Sequence, residues 1–203
     1  MVKENLWNFF LEELMKKVVI LWSSPNTDGL TASAKDQIAK GLIDAGTDVE
    51  EIHLNKMHLE HCRACGNGWG TCNKNGSCLL KDDFADIYQK IKEADGIVWV
   101  SAVYWSDMTE CFKAFFDRLR RCDATHNHFL AEKRCVLIAC AGGTGRGTLE
   151  CLQQLERGLT HMGMRAYDRI GVVRYNKDYV LPALYEAGKI YSDRLEKGFD
   201  MYY

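Results

Sequence analysis

The sequence is poor in proline, with two in 203 residues, and no apolar run approaches the roughly 20 residues that a bilayer span requires. Neither sign of charge dominates, since 26 Lys and Arg stand against 28 Asp and Glu for a formal net charge of -2. Without a broad basic field, nucleic acid and anionic membrane surfaces have nothing general to dock on, so neither is an expected partner. Polar tracts, internal repeats and linker-like stretches are also missing, which leaves one globular domain as the expectation. No secretory leader is expected either, since Glu4, Glu12 and Glu13 interrupt the apolar set between Met1 and Met15 and no small-residue cleavage site follows. The expected location is cytoplasmic, with the nine cysteines reduced.

What is present is an alternation of two hydrophobic periods. Leu6, Phe9, Phe10 and Leu14 recur at helical spacing and predict an accessory helix within residues 1–15, apolar on a broad face. The main domain is expected over residues 16–203. Three short apolar runs read as buried strands, Lys17 to Trp22, Ile97 to Val100 and Cys135 to Cys140, while Val49, Ile52 and Leu54 suggest a second strand and Ile170 to Val173 a fifth. Helical stripes separate them. Leu30, Ala34, Ile38 and Leu42 share one face, and Asp82 or Asp83 can cap a helix carrying Phe84, Ile87 and Ile91. Asp107 and Glu110 have capping-box spacing ahead of Phe112, Phe115 and Leu119, and a last helix is expected from about Leu181 to Lys197. Cys111, Cys122, Cys135, Cys140 and Cys151 fall inside these elements and are expected in the core. Strand-helix alternation of this length predicts an α/β fold, a doubly wound five-stranded parallel sheet with helices on both faces. Ligands of such sheets bind outside the carboxyl ends of the strands, so the loops after strands one, three and four are the candidates.

The first of these loops, Ser23 to Thr31, is rich in hydroxyls and leads into a helix amino terminus, a geometry that offers backbone amides to a phosphate. It lacks the Lys-Ser/Thr ending of a triphosphate loop and the glycine pattern of a dinucleotide fold. As a plain capped turn it would look the same. The second loop, Ser101 to Asp107, puts Tyr104 and Trp105 at the mouth of the sheet; the third, Ala141 to Gly147, has four glycines that let backbone amides approach a flat ring. Between them lies a cysteine-rich insertion over residues 55–81. Its Cys62, Cys65, Cys72 and Cys78 suit zinc or a four-iron cluster, both of which take four soft ligands from a short loop. His126, His128 and Arg146 occupy loop positions from which they reach either solvent or a substrate.

Together these loops resemble the flavodoxin-like NAD(P)H-dependent FMN reductases and the related iron-sulfur flavoproteins. The resemblance spans nearly the whole chain after residue 16. It rests on the Ser-Pro turn ending at Thr31, on Asp82-Asp83-Phe84, on Val103-Tyr104-Trp105, and on Lys113-Ala114-Phe115-Phe116-Asp117-Arg118. It implies the sheet order 2-1-3-4-5 and an FMN whose phosphate sits at Ser24, Asn26, Asp28, Gly29, Leu30 and Thr31. The ring would lie between Ala102, Val103, Tyr104, Trp105, Ser106 and Asp107 on one side and Ala141, Gly142, Gly143, Thr144 and Gly145 on the other. Asn26 replaces a basic phosphate contact and Ala102 replaces a proline common in relatives, two departures that predict a weaker grip on the flavin.

The resemblance further implies hydride transfer from the co-substrate NAD(P)H to the flavin and on to a small-molecule acceptor: a quinone, an azo or nitro compound, or free flavin. The flavin carries that chemistry, so no side chain is named as catalytic. A homodimer or tetramer is implied, with the accessory helix packed across an interface. The alternative is an iron-sulfur flavoprotein that carries electrons from a ferredoxin-like partner and has no nicotinamide site; a flavin-binding sensor or scaffold is the non-enzymatic reading. In the iron-sulfur relatives two residues separate each of the first three cysteines, whereas here six lie between Cys65 and Cys72 and Gly68 takes the expected third place. A loop of reduced thiols is accordingly the expectation, with a bound cluster and a redox disulfide as the alternatives.

Overall fold

The computed structural model describes residues 15–199, so the accessory helix expected within residues 1–15 lies outside the described residues but for Met15. Strands β1 (Lys17–Ser23), β2 (Asp48–His53), β3 (Gly96–Ala102), β4 (Arg134–Ala141) and β5 (Arg165–Val173) form one parallel sheet in the order β2-β1-β3-β4-β5. Six α-helices accompany it among the described residues: α1 (Leu30–Asp44), α2 (Thr71–Asn75), α3 (Phe84–Glu93), α4 (Glu110–Cys122), α5 (Thr148–His161) and α6 (Lys177–Lys197). A 3-10 turn at Leu54–Lys56 follows β2, and a π-helical turn at Asp123–Asn127 prolongs α4. This is the flavodoxin-like, doubly wound arrangement, and no helix of the described residues is long and apolar enough to cross a membrane.

The alternation of strand side chains divides the core into two halves. Val19, Leu21, Ile97, Trp99 and Leu137 face α3, α4 and α5, while Val18, Ile20, Val98, Val100, Val136 and Ile138 face α1 and α6. Both sets are buried because helices cover both faces, which is why these strands read as continuous apolar runs. β5 is longer than the run Ile170 to Val173 because its first half is an edge strand of alternating exposure, carrying Arg165, Asp168 and Arg169. α6 begins at Lys177, ahead of the expected Leu181. Pro182 sits in its second turn, where the fixed φ is already helical and a single backbone bond is lost.

Two details set the closeness of the layers. At the crossing of α1 and α6, Gly41 and Gly188 let backbones touch: a Cβ on Gly188 would come within 2.5 Å of the Ile38 carbonyl oxygen. At the amino end of the sheet the buried Tyr191 hydroxyl accepts from the Ile97 amide at 3.1 Å and donates to the Arg134 carbonyl at 2.8 Å. That edge is therefore closed by the chain's own side chain. Gly188→Ala is expected to destabilise the fold by about 1–3 kcal/mol through overpacking of the helix crossing, read as a lowered urea midpoint at unchanged slope.

Candidate functional site

The strand register brings the three candidate loops to one edge. Ser23 pairs with Ser101 and Ala102 with Cys140, and the Val103 amide donates to the Cys140 carbonyl at 3.0 Å, so the chain leaves β1, β3 and β4 side by side. β1 and β3 are neighbours here although β2 separates them in sequence, which makes this the point where the winding direction reverses.

In the first loop Ser24 is buried, and its hydroxyl accepts from the Asn26 amide at 3.2 Å. Its carbonyl accepts from Nε2 of His53 at 2.8 Å. Asn26, Thr27 and Asp28 are exposed, and Gly29 occupies the cap position of α1 without a side-chain cap. The Ser33 amide bonds back to the Gly29 carbonyl at 3.0 Å, so the amides of Leu30, Thr31 and Ala32 precede the first intrahelical bond. No acidic residue stands in that first turn, and the positive end of the helix dipole is open to an anion. The nearby Lys35 is engaged by Asp36 and by Glu51, the latter at 2.7 Å. Any phosphate here is held by amides and hydroxyls rather than by cations, with the Asp28 carboxylate as an opposing charge.

The second loop is a hairpin. Tyr104 and Asp107 exchange backbone bonds at 2.8 and 3.0 Å, and the two residues between them, Trp105 at φ 50 and Ser106 at φ 68, are both left-handed. This is the backbone of a type I′ turn, which normally selects Asn and Gly. Trp105 is fully exposed at its tip, and burial together with the charge of Glu110 raises the Tyr104 phenol above its ordinary range, so it stays protonated. The hairpin also corrects one expectation: Asp107 closes the turn instead of capping α4. Thr109 is the cap, its hydroxyl accepting from the Phe112 amide at 3.4 Å. The same hydroxyl meets Ser23 Oγ, which also contacts Asn55 Oδ1 and Cys111 Sγ, each at 3.0 Å. Cys111 is therefore half-buried in a polar cluster under the site, while the other four element-bound cysteines are buried, their thiols pushed up to about 12 by burial.

In the third loop Gly142 and Gly143 are exposed, and a Cβ on either would meet nothing within 4 Å. Gly147 instead lies against the hairpin, since its Cβ would come within 2.7 Å of Ser106 Cα. The tip of the aromatic hairpin thus rests on the base of the glycine loop, whose backbone stays bare at Gly142 and Gly143. Ala141 is buried at the end of β4, and Arg174 and Tyr175, unpredicted, stand exposed just past the end of β5 on the same edge. His53, Asn55 and Thr109 also escaped the sequence reading. Position after a strand end was the available signal for Arg174 and Tyr175; nothing local marks the others.

The cysteine insertion is fastened to α4 by a fully buried ion pair. Arg118 binds Asp82 through Nη1 and Nη2 at 2.6 and 2.7 Å, reaches the Glu60 carbonyl at 3.0 Å and stacks over Phe84. Asp82 also accepts from the Glu60 amide at 2.7 Å, so one pair clamps both ends of the insertion. Burial would raise the Asp82 carboxyl, but the Arg118 guanidinium and the amides of Glu60 and Phe84 outweigh it and hold the carboxyl below its usual range. Cys62, Cys65, Cys72 and Cys78 are all free, half-buried thiols that line one cavity of about 30 Å³ together with Cys122 from α4.

Fit to the implied groups differs between the two places. Unpartnered helix amides, a planar-accessible glycine backbone and an exposed indole on one edge suit a phosphoester carrying a flat ring. The thiol cavity offers soft donors from one short loop without gathering them around a single point. Among the described residues no three His, Cys, Asp or Glu side chains converge on a metal position.

A family model described as NADPH-dependent FMN reductase matches residues 16–176. Curated relatives include an iron-sulfur flavoprotein of Archaeoglobus fulgidus, 32% identical over 105 residues covering 52% of this chain and 46% of that protein. An iron-sulfur flavoprotein of Methanocaldococcus jannaschii is 32% identical over 104 residues, 51% of this chain and 52% of that protein. The chain spans about half the length of the curated relatives it matches. Among solved structures, an NAD(P)H:quinone oxidoreductase from Methanothermobacter marburgensis superimposes with a TM-score of 0.66 at 19% identity, covering 93% of this chain and 100% of that one, a likeness of fold.

Two outcomes follow from this geometry. Asp82→Asn leaves the Arg118 charge buried without its partner and is expected to cost about 3–5 kcal/mol at neutral pH in urea unfolding. Because the native carboxyl lies below its unfolded value, the wild type should lose this advantage as the pH falls through the native value, so the two proteins converge in acid. Ser106→Gly removes one left-handed non-glycine residue and is expected to raise stability by about 1 kcal/mol, seen as a higher thermal midpoint.

Proposed function

This chain belongs to the NADPH-dependent FMN reductase family, and we propose that it is an FMN-dependent oxidoreductase that moves hydride from NAD(P)H to a second, small-molecule acceptor. The observation that carries this reading is the carboxyl edge of the sheet, where α1 presents unpartnered amides beside an open glycine backbone and an exposed aromatic hairpin. When bound there, FMN would supply the acceptance and return of hydride. The work of the chain is to bind and orient. Amides of Leu30, Thr31 and Ala32 would hold the phosphoester, and the backbone at Gly142 and Gly143 would donate to ring heteroatoms, favouring negative charge on the ring. Trp105 offers a stacking face, and the protonated Tyr104 phenol a hydrogen-bond donor.

Quinones, azo and nitro compounds and free flavin are the acceptor class of this reading, because a flat oxidant can take the place that nicotinamide leaves. The same reading has the protein act in the cytoplasm as a homodimer or tetramer. A second reading, an electron carrier with an iron-sulfur cluster and no nicotinamide site, draws on Cys62, Cys65, Cys72 and Cys78 lying within one short insertion and on the curated relatives named iron-sulfur flavoprotein.

Purified protein titrated with FMN under anaerobic conditions is expected to quench flavin fluorescence, and the yellow complex to bleach on addition of NADPH or NADH. Stoichiometric iron and acid-labile sulfide, with a flavin that neither nucleotide bleaches, would decide for the carrier. A protein that takes up no FMN would overturn both readings.

A further inference from the structure

His53 ends β2 beside Trp22, and the two rings stack at 3.7 Å between centroids and 9° between planes. Lys35 covers the indole at 5.4 Å, so the imidazole is locked in orientation by a packed column. It is buried, with 8% of its surface exposed. Its Nε2 donates to the Ser24 carbonyl at 2.8 Å, and its Nδ1 is buried with no hydrogen-bond partner. An apolar aromatic ring would stack on Trp22 as well and would leave no unsatisfied buried acceptor, a deficit worth avoiding. What the imidazole adds is the bond to Ser24.

Ser24 is the pivot between the last strand residue of β1 and the exposed turn of Pro25 to Asp28 that leads to the amides of α1. Its hydroxyl accepts from the Asn26 amide, and its carbonyl is tied to β2 through His53. We infer that His53 is a positioning residue for anion binding: by holding the Ser24 carbonyl away from the ligand it sets the turn so that the following amides face a phosphate. The inference rests on the proposed placement of the FMN phosphate at this loop. His53 touches the loop and not the ring, so its contribution should appear with a phosphorylated flavin and be missing with riboflavin.

Dissociation constants of FMN and riboflavin, measured by fluorescence quenching on the flavin-free full chain, test this for the wild type and three variants. His53→Phe keeps the stack and loses the donor; it is expected to weaken FMN binding about five- to tenfold with riboflavin changed less than about twofold. His53→Gln, whose Nε2 reaches the same carbonyl, should restore FMN affinity to within about threefold of the wild type. His53→Asn, too short to reach it, should behave as His53→Phe and serves where the phenylalanine variant fails to fold. Equal weakening of both flavins, or none, overturns the inference while leaving the flavin site standing. A wild type that binds riboflavin as tightly as FMN removes the phosphate placement and the inference with it.

Discussion

Parallel strands must return by crossover, so their carboxyl ends all fall on one edge of the sheet, and backbone groups on that edge have no next strand residue to bond. The chain treats its two edges differently. At the amino end Tyr191 satisfies the Ile97 amide and the Arg134 carbonyl, and Asp95 accepts from the Lys17 amide at 2.8 Å, which closes the sheet with protein atoms. At the carboxyl end the first amides of α1 stay without intrahelical partners and Gly142 and Gly143 stand bare. Under the proposed reading, a ligand with an anionic end and a flat head would complete what the fold leaves incomplete.

The carboxyl edge is also where the backbone departs from easy conformations. Trp105 and Ser106 both adopt left-handed geometry in a turn with no glycine, and the contact between Ser106 and Gly147 holds the hairpin to the glycine loop. Conformational strain of this kind persists when the surroundings over-determine it. Here the surroundings are the reciprocal Tyr104–Asp107 bonds above and the Ser23, Asn55, Thr109 and Cys111 cluster below. The result is an indole projected fully into solvent at the rim of the site.

The cysteine insertion obeys a different logic. Its path is governed by the buried Arg118–Asp82 pair, which joins both ends of the loop to α4, and not by any bond among its thiols. Four thiols and Cys122 nonetheless face one small cavity, so the loop packs its sulfur inward against α4. That packing separates two chemistries within one chain: the thiols sit in the insertion, and the anion-competent amides sit on the first crossover helix.

Periodicity alone determined the number of strands, the buried character of β1, β3 and β4 and the long helices that cover them, because a run such as Ile97 to Val100 has few other ways to hide four apolar residues. The three candidate loops and the four cysteines were equally plain, since loop position follows from strand position. Local spacing misread the cap of α4, where Asp107 and Glu110 fit the pattern but Thr109 lies closer to the helix and is drawn there by Ser23. Strand order came with the family resemblance and not from spacing, whereas the contact of Ser106 with Gly147, the Arg118–Asp82 clamp and the bond from His53 to Ser24 were decided only in three dimensions. Each joins residues far apart in the chain, and such pairings are set by which surfaces the packed sheet brings together, a property that no window of sequence contains.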